Sequence, residues 1–247
     1  MALIQELEQQ GNFLFKKRGT LPLLVVAAGI PVAYFTGSKY WNTDTSFYVG
    51  YEILCLLVSI SGFFMRVATV GFTPRDTSGR NIDKQIAGEL NTSGAYSIVR
   101  HPLYVGNFFM WLGVCMMTYN AWFTLVICLF YWIYYERIMF AEEQFLTGKF
   151  GEKYTEWASR TPAFIPSFRL WRKPDGEFNM RKVLRQEKNG LLAVFLLCFL
   201  VSAAWHGFDM TAFITGQLFL TVGLGLSLLA YLVLKFLKYN TTLLSDR

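Results

Sequence analysis

The sequence predicts an all-α fold, a polytopic integral membrane bundle of about six transmembrane helices, on three observations. Of its 247 residues 53% are hydrophobic and 17% aromatic, only 16% are charged, and the mean hydropathy is +0.33, well above that of a soluble domain. The apolar residues gather into runs able to cross about 30 Å of hydrocarbon as helices. Lysine and arginine crowd into some intervening segments and avoid others, the bias that orients membrane helices.

The first run, Leu21–Thr36, contains Pro22 and Pro31 and follows a polar stretch without a small-residue cleavage site. It is expected to remain as a helix and not to leave as a signal peptide. The second, Phe47–Val70, is interrupted only by Arg66 near its end. The third, Leu103–Tyr119, and the fourth, Trp122–Phe140, are joined by "YNAW", which allows only a tight antiparallel hairpin. Leu191–Trp205 and Thr211–Leu237 complete the set. One domain over 1–247 is expected, with no internal repeat or low-complexity tract.

Charge sets the orientation. Lys16, Lys17 and Arg18 precede the first run; Arg75, Arg80, Lys84 and Arg100 lie between the second and third; a longer basic series from Lys149 to Lys188 separates the fourth and fifth; the opposite side offers only Lys39. Both termini and both long loops are therefore expected in the cytoplasm. The net charge of +6 reads as a topology signal, and nucleic acid is a poor explanation of it. The segment from Phe150 to Lys188 alternates aromatics with cations, as in "FIPSFRLWRKP", a composition suited to the lipid headgroup layer.

The four cysteines, Cys55, Cys115, Cys128 and Cys198, sit inside apolar runs without metal-ligand spacing, so small buried hydrophobes are expected and no metal site.

The stretch "GAYSIVRHPLYVGNFF", Gly94–Phe109, holds one of two histidines where a helix that merely spans a membrane needs none. Pro102 suits a first helical turn. The free N–H groups and positive dipole end beside Arg100 and His101 favour an anion such as a carboxylate or phosphate. Tyr104 and Asn107, three apart, share a side of the helix and extend a polar rim. Glu142 and Glu143 are adjacent carboxylates near the cytoplasmic end of the fourth run, after Glu136 and Arg137. Helical neighbours point about 100° apart, so one can face a cationic ligand and the other an arginine. Arg66, Arg75, Arg80 and Arg100 form a candidate basic collar for an anionic lipid head; Arg66 could equally snorkel. The loop Phe72–Ser97 is long and polar, as functional loops are. His206, in "WHGFD", reads as an interfacial histidine outside the site.

"GAYSIVRHPLY" and the following Gly-Asn, then "ERIMFAEEQFL" and "FGEKYTEWASRTPAFIP", resemble the isoprenylcysteine carboxyl methyltransferase and phospholipid methyltransferase superfamily of integral membrane enzymes. The resemblance covers about Gly94–Pro166. It implies a methyltransferase that takes S-adenosylmethionine from the cytosol and holds it with Arg100, His101, Pro102, Tyr104, Glu142 and Glu143. The family core would run over about 47–168, with an added helical pair at about 190–238. The cofactor's chemistry agrees: its carboxylate suits Arg100, His101 and the helix start, and its ammonium and sulfonium suit carboxylates and aromatic faces. Asn107 belongs to this rim, and the adenine slot is expected near Tyr154, Trp157 and Phe164.

The substrate expected is a membrane lipid. The "TPRDTSGRN" loop and the added pair are similar to a bacterial branch that methylates a lipid phosphate, including the lipid A 1-phosphate. An ionised phosphate oxygen needs no general base, only alignment and arginines to hold it. Arg66, Arg75, Arg80 and Arg100 would bind it, with Arg80, Arg100 and Glu142 at the reacting groups. A phosphatidylethanolamine amine would instead need a base, for which Glu142 or Glu143 is available. A prenylcysteine carboxylate, an NADPH-dependent membrane reductase and a non-catalytic lipid-binding protein remain as alternatives. The charge bias points to a bacterial inner membrane with the active site facing the cytoplasm, and the sequence names no protein partner.

Overall fold

The structure, a computed structural model, describes residues 2–39, 46–74 and 87–244. Within them the regular elements are helices: α1 (Leu3–Lys17), α2 (Leu21–Gly37), α3 (Ser46–Phe72), α4 (Ala95–Ile98), α5 (Pro102–Met116), α6 (Ala121–Phe150), α7 (Glu152–Arg160), α8 (Met180–Trp205), α9 (Met210–Gly216) and α10 (Leu218–Asn240), with a short 3₁₀ turn at Phe168–Leu170. The chain is an integral membrane protein: α3, α6, α8 and α10 are long and apolar enough to span a bilayer, while α2 and α5 are apolar but shorter.

Each of the six apolar runs is helical, but their boundaries differ from the expected ones for a physical reason. Hydropathy marks the part of a helix in hydrocarbon, not the helix itself. Thus α6 continues past Phe140 to Phe150, and α8 begins at Met180, well before Leu191. Both extensions carry site residues. The last run breaks at Gln217, between α9 and α10. Helix α2 runs unbroken through Pro31.

Helix α1 had no apolar run to announce it. It is amphipathic and lies along α6, burying Gly11 and Phe15 while Leu3, Ile4 and Phe13 stay exposed. Tyr134 of α6 donates its hydroxyl to the Leu14 carbonyl at 2.9 Å.

The most extensive pairing is α3 against α5. Glycines make it possible: a Cβ at Gly62 would lie 2.3 Å from the Gly106 carbonyl oxygen, and one at Gly106 would lie 2.9 Å from the Gly62 oxygen. The backbones therefore touch, which sets Arg66 of α3 beside Asn107 of α5.

Away from the site, Glu52 is fully buried; it accepts from Ser202 Oγ at 2.7 Å and faces His206 Nε2 at 3.4 Å. His206 also meets Gln217 at 3.2 Å, so this histidine ties α3, α8 and α10 together outside the site. Cys55, Cys115 and Cys198 are buried free thiols, and Cys128 is half-buried.

Candidate active site

The segment before α5 is held from behind by backbone. Arg100 N–H donates to the Pro162 carbonyl at 2.8 Å, His101 N–H to Ala163 at 3.3 Å, and Ser167 N–H to Ile98 at 2.9 Å. His101 then caps α5 with Pro102 in the first turn. The proline loses no helical hydrogen bond there, and its fixed φ starts the helix directly below the cap.

The two glutamates divide as their angular separation predicts. Glu143 accepts from Arg100 Nη1 at 2.7 Å and binds His101 Nε2 at 2.8 Å. Glu142 accepts the Tyr104 hydroxyl at 2.9 Å and stands 3.5 Å from His101 Nδ1. His101 thus bridges both carboxylates, with its ring stacked on Tyr104 at 5.7 Å. Burial opposes charge on His101, but the hydrogen bonds and charges of Glu142 and Glu143 outweigh it and raise its pKa above the ordinary 6.5. The stability contributed by this group is complete below about pH 6.5 and lost as pH rises through the raised folded value. Thermal stability is accordingly expected to fall as pH rises above about 6.5, and His101→Gln to flatten that fall. Equal slopes in thermal melts of the two proteins would overturn the assignment.

A cavity of about 840 Å³ opens in front of this cluster. Arg100, His101, Pro102, Tyr104, Asn107, Glu142 and Tyr154 all line it, as does Arg66 from α3, whereas Glu143 stands behind as the support of Arg100 and His101. Tyr154 and Trp157 arrive from α7 because Gly151, at φ 56°, turns the chain sharply at the end of α6. That backbone conformation favours glycine. Phe164, expected in the same slot, packs instead edge-on against Phe108 and Trp132. Arg75 and Arg80 lie outside the described residues.

Three buried donors in this corner lack a hydrogen-bond partner among the described residues: Arg100 Nε, the Tyr154 hydroxyl and Trp157 Nε1. The Tyr154 hydroxyl lies close to Glu143 and Arg100 without a well-formed bond to either. Buried donors are rarely left unpaired, and three of them together call for a ligand that accepts. The opposite limb of the cavity is apolar, walled by Val26, Met110, Trp111, Val114, Val194 and Leu197.

Two features of the cavity were not anticipated. Arg66 is not a free cation: its Nε and Nη2 bind both oxygens of Glu187 on α8, at 2.9 and 2.7 Å, and its Nη1 donates to Asn107 Oδ1 at 2.8 Å. In the sequence Glu187 sits inside "RQEKNG" among cations and reads as part of a loop. The only signal was a carboxylate placed just ahead of an apolar run. Arg18, read as a topology charge, lies over the Phe15 ring at 3.7 Å and borders the cavity.

A model of the phospholipid methyltransferase family matches residues 52–153. The cobalt-zinc-cadmium resistance protein CzcN of Cupriavidus metallidurans is 38% identical over 161 residues, 65% of this chain and 69% of the relative. The chain belongs to the phospholipid methyltransferase family. Other relatives are the nickel-cobalt-cadmium resistance protein NccN of Alcaligenes xylosoxydans xylosoxydans, 32% identical over 148 residues, and the protein-S-isoprenylcysteine O-methyltransferase of Schizosaccharomyces pombe, 35% identical over 114 residues. These matches take in 60% and 46% of this chain, and the chain spans 64% of NccN and 46% of the yeast enzyme, less than two thirds of either. No solved structure matches the chain significantly. The phospholipid methyltransferase match contains Arg66, the Arg100–Asn107 segment, both glutamates and Gly151, but ends before Trp157 and Glu187.

Proposed function

We propose that this chain is an S-adenosylmethionine-dependent O-methyltransferase acting on a membrane-borne acceptor that joins an apolar chain to an anionic oxygen. The observation that carries the reading is the pairing, in one cavity, of three unpartnered donors and a carboxylate with an apolar limb. Its volume of about 840 Å³ exceeds what a cofactor of this size needs alone and leaves room for an acceptor.

The residues suit the cofactor. Arg100 Nε, Tyr154 and Trp157 supply donors for its carboxylate, and Glu142 supplies negative charge for its cationic groups. This shifts Tyr154 and Trp157 from an expected adenine slot toward donor roles. When bound, S-adenosylmethionine supplies a methyl group activated by a positive sulfur. Arg66 offers donors to the acceptor's head, and the apolar wall excludes water from it. An ionised acceptor oxygen would need no general base, so Glu142 need not move a proton; the methyl group would exchange its bond to sulfur for one to oxygen, the neutral thioether would leave, and cation and anion would cancel in a chamber where that cancellation is favoured.

A carboxylate head is the acceptor best supported. The yeast relative is named for O-methylation of isoprenylcysteine, and the described arginines expected to clamp a phosphate are already paired, Arg66 with Glu187 and Arg100 with Glu143. A lipid phosphate such as the lipid A 1-phosphate is the second acceptor to test. We place the cavity at the cytoplasmic side of a bacterial inner membrane, because the Lys16–Arg18 and Lys149–Lys188 cations flank it.

Transfer of labelled methyl from S-adenosylmethionine by the purified protein, to a total lipid extract and to a prenylcysteine analogue, tests the reading. Labelling of an acidic oxygen is expected. A labelled headgroup amine would move the acceptor to another class, and absence of saturable cofactor binding would overturn the proposal.

A further inference from the structure

Bidentate pairing is the geometry an arginine offers to a substrate anion, and on Arg66 that position is taken by the protein's own Glu187. Both residues line the cavity, and the Glu187 side chain is 3% exposed against 19% for Arg66, so the guanidinium is the more accessible of the pair. Gly190, the next residue but two, leaves space there: a Cβ at Gly190 would sit 3.4 Å from Glu187 Oε2. A guanidinium has five N–H groups; three are used, on Glu187 and Asn107, and two remain.

An acceptor head that comes to those two N–H groups also comes close to the Glu187 carboxylate. For a head with one negative charge, the attraction of Arg66 opposes a single repulsion of similar size, and the two hydrogen bonds decide. For a phosphomonoester with two charges attraction and repulsion grow together and still oppose each other, so the larger cost of taking two charges out of water is left without a compensating cation at this position. Arg100 and His101 do not supply that cation, being balanced by Glu143 and Glu142, while Lys16 and Arg18 border the cavity from the end of α1. Leaving the wrong ligand's charge uncompensated is a common route to specificity.

We propose that Glu187, acting through Arg66, is a charge filter that admits a singly charged acceptor head, such as a carboxylate or phosphodiester, and rejects a doubly charged phosphomonoester. The inference rests on the functional reading above. Glu187 is a positioning residue in this scheme, on a helix beyond the part of the chain that defines the family.

Two probes with the same tail separate head charge from chain fit: N-acetyl-S-farnesylcysteine, a carboxylate, and farnesyl monophosphate. The full-length wild-type protein is expected to prefer the carboxylate in kcat/KM. Glu187→Gln, which keeps the shape and removes the charge, is expected to shrink that preference by about tenfold or more while S-adenosylmethionine affinity stays the same. Should the single variant fold poorly, the wild-type protein supplies the second test: farnesyl monophosphate loses its second charge below about pH 6 and is expected to become the better acceptor there relative to higher pH. A carboxylate preference unchanged in the folded variant, or unchanged across that pH step, would overturn the filter alone. Transfer to neither probe by the wild-type protein would overturn the functional reading and the filter with it.

Discussion

Glu142→Gln is expected to weaken S-adenosylmethionine binding by about tenfold to a hundredfold while lowering the thermal midpoint less than Glu143→Gln does, because a hydrogen bond to a charged group contributes about 1.5–3 kcal/mol and 1.4 kcal/mol is a factor of ten. Glu142 faces the cavity, and within the protein it holds the Tyr104 hydroxyl, which an amide oxygen can still accept. Glu143 does not line the cavity and has both oxygens committed to Arg100 and His101. Glu143→Gln strands two cations and is expected to destabilise the fold by about 1.5–3 kcal/mol, seen as a lower melting temperature. Isothermal titration and thermal melts of both variants in one detergent make the comparison. Equal losses of binding with no loss of stability in either would remove the division of labour between the two carboxylates.

That division could be anticipated from two adjacent letters, because helical geometry alone separates neighbouring side chains. Much of the rest of the local site was legible for similar reasons: Arg100, His101 and Pro102 are consecutive, Tyr104 and Asn107 follow within a turn or so, and each lies where the helix start requires it. Arg66 shows the limit. It was visible as a cation inside an apolar run, but its partner Glu187 stands 121 residues away and belongs to an element whose register no local pattern fixes. Without the partner, Arg66 reads as a free phosphate ligand; with it, the same residue is half neutralised. Helix α1 was hidden for a different reason. A helix that lies along α6 needs only Gly11 and Phe15 on its buried face, and so few apolar positions do not amount to a run. The orientation argument took Lys16, Lys17 and Arg18 as charges near a membrane face, yet Arg18 also borders the cavity, a second role that counting charges does not reveal.

The crossing of α3 and α5 supplies the second large effect, because it is where fold and site share the same atoms. Gly106→Leu is expected to prevent formation of a well-folded protein. A Cβ there already meets Arg66 Cγ at 2.7 Å and the Gly62 carbonyl oxygen at 2.9 Å, and a branched side chain needs more room still. Ordinary overpacking costs about 1–3 kcal/mol when side chains can shift. A backbone carbonyl inside a packed helix pair cannot shift without separating the helices, so the cost here is expected at or above the top of that range. Separation would also draw Arg66 away from Asn107 and break the 2.8 Å bond between them. Gly106→Ala, with a single added methyl, asks for a smaller displacement and is expected to give a folded protein with weakened acceptor turnover. Gel filtration in detergent distinguishes loss of fold from loss of function in the two variants. A monodisperse, fully active Gly106→Leu protein would show that α3 and α5 do not approach this closely, and the placement of Arg66 beside the cavity would fall with that contact.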